Sequence, residues 1–147
     1  MKIKLLLVAL IPLLLMGCDM NDLFDEGDTL KSYDGPTVLE FSPLEQEVGI
    51  DGVQASVKIQ LIGPQQDSDL SVEFSVEGSA EAGTHYTIST PSPVTLEAGT
   101  SSVDVVIELI EDSLEDGEEE TLILNLEGAG DIEPSPELAT ATIFIQG

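Results

Sequence analysis

Val53-Gln54-Ala55-Ser56-Val57-Lys58-Ile59-Gln60-Leu61 alternates apolar and polar side chains without a break. Successive side chains of an extended strand point to opposite faces. Val53, Ala55, Val57, Ile59 and Leu61 therefore share one face, and the polar residues take the other. This is the pattern of a half-buried strand. It recurs downstream at Val72, Phe74 and Val76, at Val103, Val105, Ile107 and Leu109, at Leu122, Leu124 and Leu126, and at Ala141, Ile143 and Ile145. Upstream, Leu39 and Phe41 open a first strand that Pro43 interrupts before it resumes toward Val48. Asp51-Gly52, Gly63-Pro64, Gly99-Thr100 and Gly128-Ala129-Gly130 punctuate these runs with turn chemistry. No gap between them carries an amphipathic helical period, so helical crossovers are not expected and the strands should be mostly antiparallel. Short strands at such spacing predict an all-β sandwich of about seven strands over residues 37–147.

Ahead of this domain lies an address. Lys2 and Lys4 precede an apolar run from Leu5 to Met16, and Leu15-Met16-Gly17-Cys18 closes it. That run has 12 residues, whereas a bilayer-spanning helix needs ~20. It reads as the core of a signal peptide, residues 1–17, removed from the mature chain. The tetrapeptide resembles the bacterial lipobox. That resemblance implies cleavage after Gly17 and a covalent lipid on Cys18, whose several acyl chains give lasting membrane attachment. Residues 18–36 are acidic, lack periodicity and carry Gly27 and Gly35, as expected of a flexible tether that reaches ~60 Å when extended. Asp19 directly after the cysteine resembles an inner-membrane retention signal. The wider acidic run of Asp19, Asp22, Asp25, Glu26 and Asp28 resembles the surface-export signal of lipoproteins from glycan-foraging bacteria, and we expect the outer membrane, with surface exposure.

Charge excludes some partners. The chain has 29 carboxylates, four basic residues and no arginine, a net charge of −25. Removing the leader takes Lys2 and Lys4 with it, which leaves two lysines and a net charge of −27. Nucleic acid needs a basic footprint that two lysines do not make. Anionic lipid would repel the domain, so attachment falls to the acyl chains. Cys18 is the only cysteine; once acylated it leaves no thiol for a disulfide, a soft-metal site or nucleophilic attack.

The segment Ser75-Val76-Glu77-Gly78-Ser79-Ala80-Glu81-Ala82-Gly83-Thr84-His85-Tyr86 resembles the "DGTA-x-AG-x-DY" signature of Calx-beta domains. Val94-Thr95-Leu96-Glu97-Ala98-Gly99 resembles their "LTFxPG", and Glu120-Thr121-Leu122 their "E-T-F" strand. The resemblance runs from about Val38 to the C-terminus and implies a seven-stranded immunoglobulin-like sandwich, in some members with calcium at one end. Carried over by position, the ligands would be Glu47 together with Glu111, Asp112 and Glu115. Two positions depart from the pattern: His85 stands where the family has an aspartate, and Ser113 replaces a loop aspartate. Both remove hard oxygen donors from a cation that takes 6–8 oxygens. A second resemblance, through the lipobox, the acidic tether and Gly83-Thr84-His85-Tyr86, is to small lipoproteins that accompany starch-utilisation-type glycan uptake systems. It implies a surface glycan system as context and supplies no catalytic residue.

Catalysis has little to work with. His85 is the only histidine and sits in a tight turn, where it should hydrogen-bond the turn while Tyr86 enters the core. A His- or Cys-based zinc site lacks ligands. Paired carboxylates suffice in principle for a small hydrolase, but with so many acids, proximity between some of them is uninformative. The sequence therefore predicts a non-enzymatic, lipid-anchored accessory, adhesion or binding module of the cell envelope. Its rivals are a calcium-binding Calx-beta domain and a carboxylate-dependent hydrolase. Ligand, partner and oligomeric state are not encoded in any motif.

Overall fold

The computed structural model describes residues Tyr33–Gly147. The expected signal peptide, Cys18 and all but the last four residues of the expected tether lie outside the described residues. Nine strands follow in order: β1 Val38–Ser42, β2 Glu45–Gly49, β3 Gln54–Ile62, β4 Leu70–Gly78, β5 Tyr86–Ile88, β6 Val94–Leu96, β7 Ser102–Leu109, β8 Glu119–Gly128 and β9 Thr140–Gln146. They form a four-stranded sheet, β1-β3-β7-β5, and a five-stranded sheet, β2-β9-β8-β4-β6. The apolar faces close over one core whose fully buried members include Leu39, Val57, Ile59, Val72, Val105, Ile107, Leu122, Leu124, Ile143 and Ile145. Such a two-sheet stack is the arrangement that alternating strands adopt to bury one face each.

The count exceeds the expected seven for two reasons. Pro43 interrupts the first strand, and the two halves join different sheets: β1 pairs antiparallel with β3, and β2 pairs parallel with β9. That parallel pair is the exception to the antiparallel expectation, and it arises because the chain changes sheets without reversing. The second reason is β5, a strand of three residues that is too short to show a period.

Two expected core residues are exposed. Val53 is 77% exposed because β3 begins one residue later, and its carbonyl instead accepts the Leu109 amide at 3.2 Å. Val76 is 38% exposed. Only Leu70–Val72 of β4 is flanked by β6, so the second half of β4 has a neighbour on one side alone.

The registers also give the domain two distinct ends. Val38, where the chain enters, pairs with Ile62 at one end of β3, while Gln54 at the other end pairs with Glu108, just before the acidic loop. The eight residue steps from Gln54 to Ile62 put roughly 27 Å between them. Glu119 pairs with Gln146, so the start of β8 and the finish of β9 share the acidic end.

Candidate functional site

Three connections crowd the acidic end. The first leaves β2 through Gly49 and Ile50; the Ile50 amide donates to the Gln146 carbonyl at 2.7 Å and pins this exit against β9. The second, between β7 and β8, is the loop Glu111-Asp112-Ser113-Leu114-Glu115-Asp116-Gly117-Glu118. Its tip folds on itself: the Glu115 amide donates to the Glu118 carboxylate, and the Glu118 amide donates to the Glu115 carbonyl, both at 3.0 Å. Asp112 sits at φ 57°, in the left-handed region that few residues other than glycine and the short polar Asn and Asp tolerate. Between these connections lies a cavity of about 410 Å³. Asp51, Asp112 and Asp116 line it, with Ile50 and Leu114 as its apolar wall and Gln146 and Gly147 beside them.

The third connection is the turn into β5. Gly83, at φ 81°, lets the chain reverse, and its amide donates to the Tyr86 carbonyl at 2.8 Å. The Glu81 amide donates to His85 Nδ1 at 2.9 Å, and the His85 amide returns a bond to the Glu81 carbonyl at 2.9 Å. Tyr86 is 4% exposed, and burial pushes its hydroxyl pKa above the ordinary tyrosine value. His85 braces the turn and Tyr86 enters the core, as their positions predicted.

Of the four residues carried over as calcium ligands, only Asp112 lines the cavity. Glu111 and Glu115 belong to the same loop but not to the lining. Glu47 lies elsewhere, on the outward face of β2, where it lines a shallow groove of about 300 Å³ with Glu45, Gln46 and Phe144. Among the described residues, no three His, Cys, Asp or Glu side chains converge closely enough to hold a metal ion. This donor arrangement does not fit a calcium ion without rearrangement of the loop. Asp51 and Asp116 are the cavity residues that sequence reasoning missed. Asp51-Gly52 was legible only as a turn, yet a residue just past the end of β2 is the one placed to meet a loop at the same end.

No protein-family model and no curated protein sequence matches the chain. Solved structures do. The apo form of the Calx CBD1 domain superposes with a TM-score of 0.61 at 21% identity, over 76% of this chain and 97% of that one. The fold is Calx-beta-like. The CBD12 structures of CALX1.2 and CALX1.1 each give a TM-score of 0.60, at 21% and 20% identity, over 74% of this chain; the chain spans 43% of their length. A chaperone–tip adhesion subunit pre-assembly complex from Csu pili of Acinetobacter baumannii matches with a TM-score of 0.53 at 15% identity, over 75% of this chain and 57% of that one.

Proposed function

We propose that the protein is a lipid-anchored, non-enzymatic binding module of the cell envelope. One observation carries this reading: among the described residues no polar or charged residue is fully buried, and one carboxylate oxygen, Glu120 Oε2, is shut off from solvent without a hydrogen-bond partner. Catalysis by electrostatic preorganisation uses fixed dipoles in a site that excludes water. Here the cavity carboxylates Asp51, Asp112 and Asp116 border open space, the buried Glu120 Oε2 has no partner beside it, and the histidine is engaged in bracing a turn. What remains is a rigid sandwich presenting acidic surfaces, which suits recognition. Leu15-Met16-Gly17-Cys18 supports the anchor, and the acidic residues after Cys18 support an outer-membrane, surface-exposed location. The lipoprotein resemblance around Gly83-Thr84-His85-Tyr86 supports a glycan-uptake system as the setting, with an envelope protein or a glycan as partner.

The test joins anchoring to binding. Cells fed an alkyne-bearing fatty acid should label the wild-type chain and not Cys18→Ala, which should also leave the membrane fraction. Capture from envelope extract with the lipidated chain should recover a glycan transporter or binding lipoprotein. Equal labelling of both chains overturns the anchor. Turnover on a glycan or ester panel that disappears in Asp112→Asn/Asp116→Asn replaces the reading with a hydrolase.

A second reading, calcium binding, is favoured by Asp51, Asp112 and Asp116 sharing one cavity, and by the likeness to a structure described as the calcium binding domain CBD12 of CALX1.1. Thermal melting separates the two readings. A chain this acidic gains from any divalent cation by screening, so the diagnostic quantity is the difference between Ca²⁺ and Mg²⁺ at equal concentration. The binding-module reading expects no difference; a calcium-specific rise that chelator reverses establishes the second.

A further inference from the structure

Phe144 is out of place for a structural residue. The other rings carried by strands, Phe41, Phe74 and Tyr86, are all buried. Phe144 alternates with buried Ile143 and Ile145 and so points away from the core, half-buried on the outer face of the five-stranded sheet. β9 is not an edge strand; it lies between β2 and β8, so the ring covers no open backbone.

Its neighbours are acidic. Glu47 pairs directly with Phe144 across the β2–β9 ladder, Glu45 lies one outward position away beside Thr142, and both line the same groove as the ring. On the other flank Thr121 pairs with Phe144, with Ile123 and Glu119 at the diagonal positions. Glu119 accepts a hydrogen bond from Gln146 Nε2 at 3.2 Å. Glu45 and Glu47 accept none from the described residues. Lys58 sits on the opposite sheet, where it already pairs with Asp104 at 3.1 Å. The outer face of the four-stranded sheet thus meets part of its own charge, whereas the groove around Phe144 has carboxylates, an aromatic π-face and, among the described residues, no cation.

We propose that this face docks an extended basic segment of a partner protein, seating a lysine or arginine side chain on the Phe144 ring between Glu45 and Glu47. The ring's π-face is negative and attracts a cation placed over it. The aliphatic stem of the same side chain covers the exposed ring edge and Ile123. Glu45 and Glu47 stand two residues apart on one face, about 7 Å, so their charges repel until a cation sits between them. Basic residues at alternate positions of an extended segment repeat at that same spacing, which gives the partner its register. The proposal rests on the binding-module reading and names the class of partner.

The probe is a fluorescently labelled octapeptide of alternating lysine and threonine, titrated by anisotropy against the full chain in non-ionic detergent at low salt. Glu45→Gln/Glu47→Gln should weaken binding by ~5-fold or more, as should Phe144→Leu, which keeps an apolar side chain but loses the π-face. Asp112→Asn/Asp116→Asn removes the same amount of charge at the cavity and should change affinity by less than ~2-fold. Melting by circular dichroism verifies that each variant is folded. Equal losses in the two double variants, or wild-type affinity in Phe144→Leu, overturn the proposal by showing that net charge alone attracts the peptide. Either outcome leaves the binding-module reading to its own test, since an envelope partner recovered with the Phe144→Leu chain as efficiently as with wild type would place binding on another face.

Discussion

The connection from Glu81 to Tyr86 and the loop from Ile110 to Gly117 leave the same end of the sandwich, where the Ile110 amide donates to the His85 carbonyl at 3.0 Å. The first closes on itself: its amides find acceptors within the turn, its imidazole takes the Glu81 amide, and its tyrosine is inserted into the core. The second encloses open space. It holds Asp112 in a left-handed conformation, carries a Ser113 hydroxyl without a partner among the described residues, and borders the cavity with carboxylates. Acidic composition alone does not distinguish a structural turn from an adaptable loop. What distinguishes them is whether the polar groups are already satisfied locally.

Mutations test this contrast. Tyr86→Ala should cost the most, about 3–5 kcal/mol by denaturant unfolding, because it empties a ring-sized volume beneath the self-contained turn. A loss under ~1 kcal/mol would mean the turn is no better anchored than the loop. His85→Ala should cost about 0.5–1 kcal/mol by removing the acceptor of the Glu81 amide. His85→Asn, which retains a side-chain acceptor, should recover part of that loss. Smallest is Asp112→Gly, expected to stabilise by about 0.5 kcal/mol because glycine adopts a positive φ without steric cost. A destabilisation of similar size would show that the Asp112 carboxylate braces its loop, and the contrast would weaken.

Much of the fold was legible because the core reads one strand at a time. Ala55, Val57, Ile59 and Leu61 announce their face through their immediate neighbours, and all four are buried. His85 and Tyr86 were readable for the same reason, since a tight turn is a local object. The parallel pairing of β2 with β9 was not legible. It joins Glu45 to Thr142, about two thirds of the chain apart, and five residues of β2 with only alternate half-burial leave no periodic signature strong enough to assign a sheet. The cavity was half visible: Asp112 and Asp116 stand in one acidic run, but Asp51 arrives from a distant turn by way of that same parallel pairing. Glu47 lies apart from the cavity because a strand residue faces sideways from its sheet, whereas the cavity lies beyond the strand's end.

The distance between where the backbone enters the sandwich and where its acidic loops gather has a practical consequence. A bead or sensor surface coupled ahead of Tyr33 holds the domain by the side opposite the cavity and leaves Asp51, Asp112 and Asp116 open to analyte. Coupling through Gly147, which borders the cavity itself, crowds those same carboxylates. Immobilising the protein both ways therefore serves as a built-in control: a ligand of the cavity should discriminate between the two orientations.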